Sequence, residues 1–145
     1  MRIAVIGAGY VGLVAAACFA ELGHRVVCVD NNQAKIAALN SSRPPIYEEF
    51  LAELLARYHG SELTFTASLA NGAKDAQVIF IAVGTPMLSS GEADLSYVES
   101  VTSEIARFIR APTVIVAKST VPVGTSAWIE RCLVLNGCDR DNSLS

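Results

Sequence analysis

The sequence is poor in charge, in aromatic rings and in the residues that usually chelate metals. Charged side chains make up 17% of the 145 residues and aromatic ones 7%, with two histidines and one tryptophan. The 11 Lys and Arg residues are scattered without a run and the net charge is −3, so there is no electrostatic basis for nucleic acid or an anionic membrane as partner. Cys18, Cys28, Cys132 and Cys138 lack CxxC spacing and the first two fall in apolar segments, which predicts buried thiols. His24 reads as a turn residue and His59 as lying near a helix end, neither with a ligand or nucleophile at useful spacing. No metal site is expected. The longest apolar window, Val11 to Leu22, is broken by Gly12 and Glu21 and is too short to span a bilayer. Met1 and Arg2 lead straight into an apolar run with no cleavage site for a secretion signal, so the expected location is cytoplasmic.

Hydrophobic residues, at 52%, are plentiful. A chain of this length buries roughly two-thirds of its unfolded surface, so a single domain spanning residues 1–145 needs neither disulfides nor metal to fold. Its first thirty residues organise the rest. Gly7, Gly9 and Gly12 form GxGxxG directly after the apolar run Ile3 to Ile6, an Ala-rich helical segment follows from Val11 to Leu22, and a second apolar run, Val26 to Val29, ends on Asp30. Gly7 permits a tight turn, Gly9 lets a pyrophosphate approach bare backbone, and Gly12 lets the helix lie close to the sheet. The helix start offers unpaired N–H groups to phosphate, and Asp30 stands where a carboxylate accepts from ribose hydroxyls. A tight turn alone would account for Gly7 but would leave Gly9 and Asp30 without a reason. Asp30 also favours NAD over NADP, because its charge repels a 2′-phosphate and Asn31 and Asn32 supply no Arg to hold one.

Further along, Gln33 to Asn40 has helical spacing, with Lys35 in its first turns as either a solvated surface lysine or an adenosine contact. Pro44 and Pro45 interrupt it. Tyr47 to Tyr58 reads as an amphipathic helix packing on the sheet, Leu63 to Thr66 as a short strand, and Ser68 to Lys74 as a small helix or turn. Val78 to Val83 is wholly apolar, the pattern of a central parallel strand buried on both faces. Tyr97 to Ile109 is an amphipathic helix with Ser96 and Glu99 as a capping box. Val114 to Ala117 is another buried strand, Ala127 to Leu135 resumes helical spacing, and the tail from Asn136 to Ser145 is polar with no core pattern.

This alternation predicts an α/β doubly wound parallel sheet, a Rossmann fold of strand order 3-2-1-4-5-6. In such a sheet ligands lie beyond the carboxyl ends of the strands, where the first and fourth part. Gly84 to Pro86 leaves the fourth strand and Lys118 to Thr120 the fifth, so Thr85 and Thr120 bring hydroxyls to the crevice while Pro86 and Pro122 stiffen their turns. Several strand ends must cooperate there. A helix terminus contributes about 0.3 to 2 kcal/mol toward an anion, against about 8 kcal/mol for micromolar affinity.

GAGYVGL at 7–13, VDNNQAKIAALN at 29–40, PIYE at 45–48, VGTP at 83–86, ADLSYV at 93–98 and KSTVPVGT at 118–125 together resemble the N-terminal domain of the UDP-glucose/GDP-mannose dehydrogenase family, most closely its UDP-glucose 6-dehydrogenase branch. The resemblance implies an NAD-dependent oxidoreductase that oxidises UDP-glucose to UDP-glucuronate with two NAD through a cysteine-bound intermediate. It implies a cofactor-binding set of Gly7, Gly9, Tyr10, Val11, Gly12, Asp30, Lys35, Thr85, Pro86 and Thr120. In that family the threonine matching Thr120 lies near the reacting centre and helps to position water, so the resemblance makes Thr120 the catalytic candidate. Two departures bear on it. Glu49 and Phe50 follow PIYE where the family has Pro and Gly, which predicts a lengthened or re-registered helix start. The family's central dimer helix, UDP-sugar domain and nucleophilic cysteine lie beyond these motifs, and Cys132 and Cys138 do not stand in that cysteine's context. The expectation is NAD binding without turnover by this chain alone. A fragment of a GDP-mannose dehydrogenase and a non-catalytic, NAD-responsive regulatory module are the alternatives, although KSTVPVGT has no evident reason to be present in the latter.

Overall fold

The computed structural model describes residues 1–138 together with the backbone of Ser143–Leu144. Strands and helices alternate as β1 Arg2–Ile6, α1 Tyr10–Glu21, β2 Arg25–Val29, α2 Gln33–Asn40, α3 Leu51–Tyr58, β3 Leu63–Thr66, α4 Leu69–Ala73, β4 Val78–Ile81, α5 Ser96–Ile105, β5 Thr113–Ala117, α6 Thr125–Leu135 and β6 Ser143–Leu144. All pairings are parallel, in the order β3-β2-β1-β4-β5-β6, and the central register sets Ile3 beside Val26 on one side and Val78 on the other. This is the expected doubly wound sheet, with β1 and β4 adjacent at its centre.

Apolar residues on the two sides of the sheet feed two clusters. On one side Leu13, Ala16, Ala17 and Ala20 of α1, with Leu39 of α2 and Leu55 of α3, meet Ile3, Val5, Val26 and Cys28. The alanines bring α1 close to the strands. Leu13, Leu39 and Leu55 are 0–1% exposed, and each contributes roughly 1.5–3 kcal/mol through burial. On the other side α4, α5 and α6 cover Ala4, Ile6, Ile79 and Ile81.

Several expectations need correction. α3 starts at Leu51 rather than Tyr47, because Phe50 takes the left-handed conformation at φ 64 and ends the preceding loop. The main packing partner of this helix is α1 rather than the sheet. β4 stops at Ile81, and only its Ile79 and Ile81 side is fully buried; Val78 and Phe80 are half-buried, with the Phe80 ring 4.8 Å from that of Phe19. β5 is likewise incompletely covered, Val114 being 36% exposed. The start of α5 is not held by a Ser96–Glu99 box: Ser96 is already helical, and Asp94 Oδ1 accepts its N–H at 2.9 Å. Cys18 is exposed, since its position on α1 faces away from the strands; Cys28 is buried as expected, and burial, followed by the charge of Asp30, pushes its thiol up to about 12. The polar tail contributes more than its pattern suggests. Cys138 is buried, and Ser143–Leu144 pair with Thr113 and Val114. The rest of the tail, 139–142 and 145, lies outside the described residues. Among the described residues no helix is long and apolar enough to cross a membrane.

Candidate functional site

Each glycine of the first turn has a separate geometric reason. Gly7, at φ +108, packs so tightly that an added Cβ would stand 2.5 Å from the Ala82 carbonyl oxygen at the end of β4, and its N–H donates to Val29 O at 2.7 Å. Gly12 lies even closer to its surroundings. A Cβ there would fall 1.9 Å from Gly7 O, so the close approach it allows is of helix onto turn, with Ala82 Cβ next at 3.2 Å. Around Gly9 there is nothing within 4 Å of an added Cβ. Gly9 is also the N-cap of α1, without a capping side chain or an acidic residue in the first turn. The first N–H groups of α1 thus have no side-chain acceptor, the arrangement that suits a phosphate.

Beside this turn β2 ends in Asp30, whose side chain is 9% exposed. Three donors converge on its carboxylate: Ala8 N–H at 2.9 Å and Lys35 Nζ at 2.6 Å on Oδ2, and Asn32 N–H at 3.0 Å on Oδ1. Burial alone would raise the pKa of this group, but the hydrogen bonds from Lys35, Asn32 and Ala8, with the charge of Lys35, outweigh it and hold the carboxyl below its usual range. Lys35 is therefore no free surface lysine. Its backbone is fixed as well, because Asn32 caps α2 by accepting Lys35 N–H at 3.0 Å.

Gly7, Gly9, Asp30 and Lys35 line one cavity of about 460 Å³, floored by Ala82 to Gly84. Its far wall was not foreseen: Leu69 of α4 and Tyr97, Ser100, Val101 and Glu104 of α5 close it. The signal was available in the spacing of 97, 100 and 104, a second stripe on α5 offset from the core stripe of Val98 and Ile105. Tyr10, Val11, Gly12, Thr85, Pro86 and Thr120 are not among the residues lining this cavity. Tyr10 and Val11 are exposed at the start of α1, and the Tyr10 hydroxyl hydrogen-bonds Glu48, whose bond and charge raise the phenol pKa.

Thr85 and Thr120 do come together, though not as two free hydroxyls. Thr85 Oγ1 donates to Thr120 O at 2.9 Å, and Ser119, between Lys118 and Thr120, donates from Oγ to Val83 O at 2.7 Å. The turns after β4 and β5 are stitched to each other, leaving the Thr120 side chain and Pro86 exposed. Among the described residues no cluster of His, Cys, Asp or Glu could hold a metal ion.

Known proteins resemble this chain in sequence and fold. Residues 1–143 match the model of the UDP-glucose/GDP-mannose dehydrogenase family, NAD binding domain. A UDP-glucose 6-dehydrogenase of Pseudomonas aeruginosa is 50% identical over 136 residues, which is 93% of this chain and 30% of that protein. Among solved structures, a UDP-glucose dehydrogenase from Pyrobaculum islandicum superposes with a TM-score of 0.85 at 40% identity, over 92% of this chain and 32% of the other. A GDP-mannose dehydrogenase of Pseudomonas aeruginosa, solved as a ternary complex, gives 0.84 at 38% identity, over 92% and 33%. The chain thus spans about a third of the length of the relatives it matches.

Proposed function

The chain belongs to the UDP-glucose/GDP-mannose dehydrogenase family, and from that premise we propose that residues 1–145 form one NAD-holding domain of a UDP-glucose 6-dehydrogenase. The observation that carries the reading is the open space at Gly9, before an uncapped helix start and beside the buried carboxylate of Asp30. A pyrophosphate fits the first, and ribose hydroxyls suit the second.

In this reading Gly7, Gly9 and Gly12 shape the turn, Tyr10 and Val11 open the helix that faces the pyrophosphate, and Asp30 with Lys35 takes the adenosine ribose. Thr85, Pro86 and Thr120 flank the nicotinamide end. NAD supplies the hydride acceptor when bound. The chain's own residues hold it, orient it and, at the exposed Thr120 hydroxyl, position water. In a protein of its relatives' full length the domain would serve oxidation of UDP-glucose to UDP-glucuronate. A cytoplasmic homodimer and a place in polysaccharide biosynthesis belong to the same proposal. The relatives at 50% identity are UDP-glucose 6-dehydrogenases, which supports the UDP sugar, although among solved structures a UDP-glucose and a GDP-mannose enzyme stand level at 40% and 38%.

Titration of the 145-residue chain with NADH, followed by an assay with UDP-glucose and NAD, tests this. Binding without turnover is the expected outcome. Failure to bind NADH would remove the reading, and measurable oxidation would put the reaction's machinery within these residues.

A further inference from the structure

The Asp30 carboxylate is held as a bound anion would be. Two backbone N–H groups, from Ala8 and Asn32, and the Lys35 ammonium all point at it, at 2.6 to 3.0 Å. These are the donors that proteins use for external phosphates, a concave pair of amides with a cation beside them. The backbones that carry Ala8 and Lys35 have anchors other than Asp30, while the Lys35 ammonium itself is paired with the carboxylate. Ala8 follows Gly7, whose place is set against β4, and the backbone of Lys35 is fixed by the Asn32 cap. Asn31, Asn32 and Lys35 border the same cavity as Gly9, so two of the three donors adjoin the space that would hold the dinucleotide, while Ala8 is buried.

We propose that this is a latent 2′-phosphate site filled by the protein's own carboxylate, so that discrimination against NADP comes from Asp30 occupying the donors and Lys35 is the cation that would bind the phosphate once Asp30 is gone. The inference rests on the reading of the crevice as the dinucleotide site. It differs from a simple repulsion account, in which removing the charge would make the site indifferent to the 2′-phosphate. Here removal leaves three donors aimed at an empty place, and the 2′-phosphate becomes the preferred occupant.

The experiment is a titration of the 145-residue chain and its variants with NADH and NADPH, each variant's fold checked by circular dichroism. The wild type binds NADH and rejects NADPH. Asp30→Ser weakens NADH about tenfold and strengthens NADPH about tenfold, as expected for exchange of charge-assisted hydrogen bonds. Adding Lys35→Ala to Asp30→Ser abolishes the NADPH gain. Asp30→Asn, which keeps an acceptor for one backbone N–H, shifts preference the same way and decides the matter if the serine variant does not fold. Indifference to the 2′-phosphate in both single variants, with wild-type NADH binding intact, overturns the inference and leaves the cofactor reading standing. A gain that survives loss of Lys35 overturns the role given to that lysine. A wild type that binds neither dinucleotide removes the cofactor reading and this inference with it.

Discussion

The two ends of the crevice are built differently. At the Asp30 end a side chain 9% exposed is held by three donors, and α5 supplies an opposite wall, so β1, β2, α2 and α5 together complete a site. At the Thr85–Thr120 end the Thr85 hydroxyl is taken by Thr120 O, the Thr120 side chain is exposed, and residues of the same turns lie open, Met87 at 78% and Val123 at 108%. The first end has the features of a binding site, a buried charge with its hydrogen bonds satisfied. The second is a pair of turns joined by hydrogen bonds and left uncovered. Under the proposed function the first end grips the cofactor and the second serves the reaction, and the substitutions below test that separation.

The largest effect is expected where the two ends touch, at the glycine turn. Gly12→Ala drives a methyl group to 1.9 Å from Gly7 O, with no flexible side chain to give way. A loss of about 3 kcal/mol in a urea melt, or failure to fold, is expected. Gly9→Ala, with open space around it, should leave the melt nearly unchanged and weaken NADH binding. Equal effects on stability would break the distinction between a packing glycine and a ligand-facing one.

Next in size is Asp30→Ala, which should weaken NADH at least tenfold, since hydrogen bonds to a charged group contribute about 1.5–3 kcal/mol. It should also change the acid limb of stability. The folded carboxyl titrates below its ordinary value, so its stabilisation is present above the unfolded pKa, near 4, and is lost as pH falls through that value to the lowered one. The variant should therefore melt with a flatter dependence on pH below about 4. An unchanged acid limb would mean that the three donors do not favour the charged form.

Smaller again is Thr85→Val, which removes the bond to Thr120 O. It should cost about 1 kcal/mol of stability and less NADH affinity than Asp30→Ala. The smallest effect lies outside the crevice. Phe50, 63% exposed and at φ 64, holds a conformation that glycine adopts freely, and Phe50→Gly should leave NADH binding unchanged while raising stability by up to about 1 kcal/mol.

Much of this was legible in the residues themselves, where the cause is local. The run before Gly7, the acid closing Val26 to Val29 and the helical spacing of Gln33 to Asn40 all formed as their patterns dictate. What was not legible depends on groups distant in sequence. Thr85 and Thr120 were expected to offer two hydroxyls, but the bond between them joins residues 35 apart, and no spacing reveals that one hydroxyl is taken. The α5 wall shares its helix with a core stripe, and the stronger apolar signal hid the weaker one. The start of α3 turned on the φ of one phenylalanine, and propensity does not predict a bulky residue in the left-handed region. Strand burial was overestimated at β5 for a related reason, since an apolar run records what could be covered and not what covers it.

The separation of gripping from reacting is tested most directly by measuring the NADH dissociation constant of the wild type, Asp30→Ala and Thr120→Val side by side, with each melt recorded. The account predicts that Asp30→Ala loses at least tenfold in affinity while Thr120→Val stays within about threefold of the wild type. Equal losses at the two ends, or a larger one at Thr120, would contradict it.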